Sequence, residues 1–390
     1  MSNISGRYAI VGVAETKVGK RPEASTHSSH LECIKACLDD AGIKATDVDG
    51  FITNQPLNDA HRSYAVRMAN MARMQPNYAT DLALGGATPI AMVQNAVMAI
   101  EAGMAHTVMC VHARKRGTPD PTPGHPIRHG DEHWEEPWGH FSAVANHAFA
   151  AQRHMYEFGT TSEDLAHVAV ATRKHACLNS NATMRKPMTI ADHQASRFIV
   201  DPLRLFDCAL ESDGGGAVIV TSAERARDFP KRPVAILGMG QHHPHFSLMD
   251  APSLTTLGGN KSSKLAYEMA GLSPKDMNFA EIYDCFTITT MITLEDYGFC
   301  KKGEGKDFVK NGRIEVGGEL PVNTHGGLLS QAHIEGMLHV TEAVKQLRGD
   351  AVEPERQVKN AKAGIVSGHG GSLCMHATLI LGAPYERKQR

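Results

Sequence analysis

Pro321-Val322-Asn323-Thr324-His325-Gly326-Gly327-Leu328-Leu329-Ser330-Gln331-Ala332-His333-Ile334-Glu335-Gly336, with its continuation to Gly349, is the stretch whose reading decides the fold. Its first part reads as a loop and its second as a helix. Asn323 and the Gly326-Gly327 pair supply turn chemistry and let the backbone approach a ligand closely. From Leu338 to Leu347 apolar residues recur at helical spacing, and Gly349 stands where a helix C′ residue is expected. A helix opening beyond a glycine turn presents unpaired N–H groups and a positive dipole end, which suits an oxyanion or enolate. The pattern predicts such a site with His333 at its start; a tight turn carrying a surface histidine is the plainer alternative.

Working outward, Tyr8–Ala14 is a short apolar, β-branched run that reads as a buried strand. Thr26–Ala41 reads as a helix capped by Ser25 or Thr26, and Phe51–Thr53 as a strand. Gly85-Gly86-Ala87-Thr88-Pro89 opens a long apolar helix to about Ala102, followed by a strand over His106–His112. Asp213-Gly214-Gly215-Gly216 leads into a strand over Ala217–Thr221, and Pro233–Met239 starts a second set. There the expected helices are Lys264–Ala270, Asp284–Tyr297 and Leu338–Leu347, and the closing strands Gly364–Ser367 and His376–Leu381. This β-α-β alternation argues for layered α/β architecture. Each half contains Gly-Gly, a long apolar helix and then a strand, which points to one topology used twice. Residues 114–197 break the rhythm with Pro119–Pro126, Trp134 and Trp138, and with the basic residues Arg114, Lys115, Arg116, Arg173, Lys174, Arg185 and Lys186. They read as an inserted loop domain, or as a solvated, charged excursion.

At 390 residues and 42% hydrophobic content the chain can bury a large core. A net charge of -2 gives no global field for nucleic acid or an anionic membrane. The 8 cysteines form no CxxC pair and read as reduced thiols. No signal peptide, peroxisomal tripeptide or bilayer-length apolar run is found, so a cytoplasmic protein is expected. The 22 histidines raise the question of a metal. His125, His129 and His133 are broken up by Pro126 and Gly130, and His242, His243 and His245 sit beside a proline, so no metal site is expected.

Asn323, Gly326, Gly327 and His333 fall at the spacing of the Asn-x-x-Gly-Gly…His block of thiolases. Glu281-Ile282-Tyr283-Asp284-Cys285-Phe286-Thr287, Leu294–Phe299, Gly303-Glu304-Gly305 and Glu342–Gly349 extend the likeness, and nearly the whole chain resembles thiolases of the sterol-carrier-protein-2 type. The resemblance implies the thiolase fold, two similar βαβαβ halves in a five-layered α-β-α-β-α arrangement with an inserted loop domain. It would assign 1–113 and 198–230 to the first half, 114–197 to the insertion and 231–390 to the second half. It also implies an acyl-CoA substrate bound partly by the insertion, coenzyme A entering only with that substrate, a homodimer core, and a small OB-fold partner subunit with a zinc ribbon.

The family's nucleophile is the point of departure. A thiolase cysteine sits at the start of the first-half central helix, where the dipole lowers its pKa. Laying the family pattern Cys-x-[Ser/Thr]-Gly-x-x-Ala on this chain with Ala91 last puts Gly85 at that degenerate position, and Thr88 is the only hydroxyl nearby. Gly368, before His369-Gly370-Gly371, falls roughly where the second thiolase cysteine would be. Acid–base groups without a thiolate suit a retro-aldol reaction. Tyr283 resembles the tyrosine of steroid side-chain aldolases in this superfamily, and His333 the thiolase histidine. A phenol suits proton donation and an imidazole proton abstraction. The expected catalytic set is therefore Tyr283, His333 and His369, with Asn323, Gly326, Gly327, Gly370 and Gly371 forming the oxyanion loops. Cys285 is expected to face the core and Asp284 to cap the helix after it. The expected activity is retro-aldol cleavage of a β-hydroxyacyl-CoA. A thiolase or acyltransferase with a displaced cysteine such as Cys374, and a non-catalytic acyl-CoA- or lipid-binding subunit, are the alternatives.

Overall fold

The computed structural model describes residues 4–56, 63–119, 137, 142–245, 248–350, 353–371 and 373–383. His125, His129, His133, Trp134 and Trp138 lie outside them. Strands β1 (Tyr8–Glu15), β2 (Gly50–Asn54), β3 (Tyr78–Leu82), β4 (Thr107–Lys115) and β7 (Asp213–Ser222) belong to the first half. β8 (Val234–His242), β9 (Phe279–Glu281), β10 (Ala363–Gly370) and β11 (Met375–Gly382) belong to the second, and the short β5 (Phe198–Val200) and β6 (Leu203–Arg204) pair apart. The main sheet has nine strands in the order β3-β2-β4-β7-β1-β8-β11-β10-β9. Its seam is the antiparallel β1–β8 pair, in register Tyr8↔Ile236, Ala9↔Ala235 and Ile10↔Val234.

Outward from that seam both halves use the same order: first strand, last strand, penultimate strand, second strand. The first half then adds β3 parallel to β2, where the second has only the parallel bridge Ala280↔Val322. Gly85-Gly86 and Gly326-Gly327 therefore follow equivalent strand positions, and the duplication expected from sequence is the observed architecture.

Helices α3 (Thr88–Glu101) and α10 (Met337–Arg348) lie in the middle, packed against strands of both halves within one apolar cluster. Both are buried nearly all round, as interior helices are. Outside the first-half strands lie α1 (Thr26–Ala41) and α2 (Tyr64–Met71). Outside the second lie α7 (Gly259–Ala270) and α8 (Thr287–Asp296), and α9 (Gly305–Phe308) follows α8. The layers are α-β-α-β-α. With both sheet faces covered, β1 and β4 are buried almost throughout and show no polar alternation.

Several boundaries follow local chemistry. Ser25 caps α1 in a capping box with Ser28, and Gly42 closes it in the left-handed region. Gly349 ends α10 in the same way, at φ 77. Others depart from the sequence reading. Gly214–Gly216 lie inside β7 and not ahead of it, because a Cβ at Gly215 would stand 2.8 Å from Ala113 Cβ and one at Gly216 2.8 Å from Met337 Cγ. Gly327–Gln331 make one isolated π-helical turn, and α10 begins only at Met337. The glycine pair is thus not the start of the central helix. α8 starts at Thr287: Tyr283–Cys285 make no helical turn, and Phe286 is extended and bridged to Cys208.

The inserted region forms α4 (Ser142–Phe158), α5 (Ser162–Leu178) and α6 (Ile190–Ala195). It is tied to the interior. His175 Nδ1 pairs with Asn323 O at 3.1 Å, Asn179 Nδ2 donates to His325 O at 2.7 Å, and Arg173 Nε donates to Ser330 Oγ at 2.9 Å. Gly326 is glycine because α5 presses on it: a Cβ there would lie 2.7 Å from Ala176 Cβ, at a φ of +107. Of the basic residues, Arg114, Lys115 and Arg173 are buried in such contacts.

Candidate active site

The two central helices start close to one another. A Cβ at Gly336, just before α10, would stand 2.9 Å from Gly86 O, just before α3. Tyr283, on the segment between β9 and α8, projects into this meeting point. Its N–H donates to Ser367 Oγ at 2.9 Å, and its carbonyl accepts from Thr289 Oγ1 at 3.1 Å. A Cβ at Gly86 would lie 2.0 Å from Tyr283 Cζ and 2.2 Å from its hydroxyl. The phenol thus occupies the room that a side chain at Gly86 would need. A Cβ at Gly85, in contrast, would lie 2.9 Å from Gly370 Cα and 3.1 Å from Gly371 N. One at Gly368 would lie 2.7 Å from Gly86 O. Thr88 is occupied as a turn acceptor, its Oγ1 taking Leu84 N–H at 2.8 Å.

The Tyr283 hydroxyl lies 3.0 Å from His333 Nε2. Burial, reinforced by Cys285 and Glu335, raises the Tyr283 pKa well above the usual phenol value. Burial, reinforced by Arg114 and Arg116, pushes His333 well below the usual imidazole value. At neutral pH both are uncharged, so the phenol donates and the imidazole nitrogen accepts. His333 is held by its own N–H donating to Ser212 Oγ at 3.1 Å. Beside it Glu335, at φ 50, meets His112 Nε2 at 2.9 Å and Arg114 at 3.7 Å. Burial raises the Glu335 pKa.

His369 stands edge-on to Tyr283, with ring centroids 4.8 Å apart. It also belongs to a second group. His147 Nε2, His369 Nε2 and Cys285 Sγ converge, with separations of 3.4 Å between the nitrogens and 3.5 and 3.6 Å from sulfur to each. Cys285 therefore points into the site, not into a purely apolar core. His147 comes from α4 of the insertion, and no local spacing in the sequence announces it. Cys374 is fully buried, with its thiol on Gly370 O at 3.5 Å.

The loop residues have other duties than the sequence suggested. Asn323 uses both ends of its amide on Ile282, accepting from its N–H at 2.6 Å and donating to its carbonyl at 2.8 Å. The turn after Gly327 does bind an anion, but a resident one: Asp284 Oδ1 accepts Leu328 N–H at 2.8 Å, and Oδ2 accepts Leu329 N–H at 3.4 Å. Asp284 does not cap α8, whose N-cap Phe286 makes no side-chain bond. It also holds His339 Nε2 at 3.2 Å. Gly327 has no Cβ because one would lie 2.0 Å from Asp284 Oδ2. Gly370 admits the Leu84–Gly85 backbone, since a Cβ there would lie 1.9 Å from Leu84 O, and a Cβ at Gly371, at φ +60, would lie 2.2 Å from Cys374 Sγ. The helix starts at Gly86 and Gly336 lie beside Tyr283, and their positive ends favour negative charge there.

Duplicated halves, paired central helices and a site between their N-termini define a thiolase-type enzyme scaffold. Residues 240–383 match the thiolase C-terminal domain-like family. A steroid side-chain-cleaving aldolase of Thermomonospora curvata is 37% identical over 98% of this chain and 100% of its own length. A 17-hydroxy-3-oxo-4-pregnene-20-carboxyl-CoA lyase of Mycobacterium tuberculosis is 39% identical over 92% of this chain and 95% of its own. The solved Ltp2-ChsH2(DUF35) aldolase superposes with a TM-score of 0.90 at 35% identity, covering 100% of both chains. The chain belongs to the thiolase superfamily, beside the acyl-CoA aldolases and lyases of that group. More distant members include an acetyl-CoA acetyltransferase of Methanothermobacter thermautotrophicus, 32% identical over 94% of this chain and 98% of its own. Among the described residues no helix is long and apolar enough to cross a membrane.

Proposed function

We propose that this enzyme cleaves a β-hydroxyacyl-CoA by a retro-aldol reaction in which Tyr283 and His333 act as one proton relay. The observation that carries this is the Tyr283 hydroxyl over Gly86, 3.0 Å from a neutral His333 nitrogen. Tyr283 passes its proton to His333 Nε2 as its oxygen takes the proton of the substrate β-hydroxyl. The Cα–Cβ bond breaks, the β-carbon leaves as a ketone or aldehyde, and the electron pair moves into a thioester enolate. The helix ends at Gly86 and Gly336 favour that charge. The relay then runs backwards and the same proton reaches the α-carbon, leaving a shortened acyl-CoA. No acyl-enzyme forms and no free coenzyme A is consumed. Coenzyme A enters as part of the substrate. The relatives' names support a hydroxylated acyl-CoA of steroid side-chain type, and the solved aldolase, named as an Ltp2-ChsH2(DUF35) pair, supports a small partner subunit. An OB-fold with a zinc ribbon in that partner, a homodimeric core and a cytoplasmic location follow from the family resemblance of the sequence.

One observation favours a second reading, thiolysis by a displaced cysteine. Cys285 lies within 3.6 Å of two imidazole nitrogens, a nucleophile–base geometry. Its thiol pKa is raised well above the usual value by burial, which opposes thiolate formation. Matched β-hydroxy and β-keto thioesters decide between the two. The relay reading expects a ketone or aldehyde from the hydroxy compound without added coenzyme A. Turnover of the keto compound alone, and only with coenzyme A, overturns it.

A further inference from the structure

We infer that His147, Cys285 and His369 form a three-ligand site for a zinc-type divalent cation, beside the Tyr283–His333 pair and distinct from it. This departs from the expectation, drawn from the sequence, of no metal. The site was invisible there because its ligands come from the insertion, the β9–α8 segment and β10. Three observations carry it.

The first is distance. Zn–N bonds of about 2.0–2.1 Å and Zn–S bonds of about 2.3 Å at tetrahedral angles require roughly 3.3–3.4 Å between nitrogens and roughly 3.5–3.6 Å between nitrogen and sulfur. The observed separations are 3.4 Å, and 3.5 and 3.6 Å. Among the described residues this is the one group of three such side chains whose donor atoms all lie within 4.8 Å of one another.

The second is orientation. His147 Nδ1 donates to Ala143 O at 2.6 Å, which leaves a lone pair on Nε2 in the neutral ring. That is the usual way a protein fixes a ligating histidine.

The third is burial. His147, Cys285 and His369 are all buried, and their donor atoms converge on one point instead of facing solvent. A cation at that point takes one lone pair from each residue. The Cys285 proton leaves to solvent on binding, as metal–thiolate formation requires. Mixed imidazole and thiolate donors select zinc or cobalt over magnesium or calcium. Three protein ligands leave a fourth tetrahedral position for water or a substrate oxygen, the pattern of catalytic zinc rather than structural zinc. This inference concerns binding and stands whichever bond the enzyme breaks.

The test is to strip the full protein, in whatever complex it purifies, with a chelator and reload it with cobalt(II). The expected result is a near-ultraviolet thiolate-to-cobalt band and visible bands of tetrahedral intensity in the wild type. Metal content should be one equivalent higher than in Cys285→Ser and His147→Ala, with zinc affinity in each variant down at least about 10-fold. Comparing variants cancels metal held by a partner subunit. Cys300→Ser, away from the group, should match the wild type. The wild-type spectrum needs no variant to fold. No thiolate band in folded wild-type protein, a band that survives Cys285→Ser, or equal metal content in all variants overturns the inference.

Discussion

Replacing Gly86 with alanine tests the central feature of the site. The added methyl would stand 2.0–2.2 Å from Tyr283 Cζ, Cε2 and hydroxyl, where real carbon contacts are not found. Gly86 is not among the glycines with positive φ, so the change acts through space and not through backbone strain. Overpacking of this kind costs about 1–3 kcal/mol, and alanine at a helix entry returns up to about 1 kcal/mol. The net loss of roughly 0–3 kcal/mol is small for a 390-residue chain, so the variant should fold. The phenol, however, must leave its position 3.0 Å from His333. Losing a positioned acid–base group costs about 10²–10⁴ in rate, or roughly 3–5 kcal/mol in the barrier. Turnover of a β-hydroxyacyl-CoA, followed by release of the carbonyl product, is the assay, with circular dichroism and thermal unfolding as controls. A folded Gly86→Ala enzyme working at the wild-type rate would refute the reasoning, since Tyr283 could not then be acting from where it stands.

Tyr283→Phe should lower turnover by about 100-fold or more with little change in melting temperature, because the ring remains and only its hydroxyl is lost. Full activity in that variant would make Tyr283 structural. The fold should also be acid-labile. Burial holds His30 and His175 at about 4 and His376 at about 3, against an unfolded value near 6.5. These depressed groups bind fewer protons folded than unfolded. The stability they favour is therefore present above about pH 6.5 and is lost as pH falls from there toward 4. Each contributes a loss of about 2 kcal/mol between pH 7 and 5, so denaturant midpoints should fall steeply over that interval. A flat pH profile there would show that these rings are protonated in the native state.

Much of this protein is legible in its sequence because the signals are local. A serine capping box and a left-handed glycine bound α1, apolar β-branched runs mark the buried strands, and a repeated Gly-Gly-helix-strand pattern announces the duplication. Tyr283 and His333 stand out in the sequence by their motif blocks, and the fold brings them within 3.0 Å of each other. The extent of α10 was clear, but not that the glycine pair precedes a separate turn, because the partner that shapes that turn is Asp284, distant in sequence.

Tertiary structure decided what each group can do. Glycines 86, 326 and 327 are explained by Tyr283, Ala176 and Asp284, which reach them from other elements. The insertion reads as a charged excursion because its polar residues carry no label of their destination. Only folding buries Arg173 against Ser330 and delivers His147 to Cys285 and His369. The protonation states that make Tyr283 a donor and His333 an acceptor follow from desolvation, which depends on what is packed around a side chain and not on its neighbours along the chain.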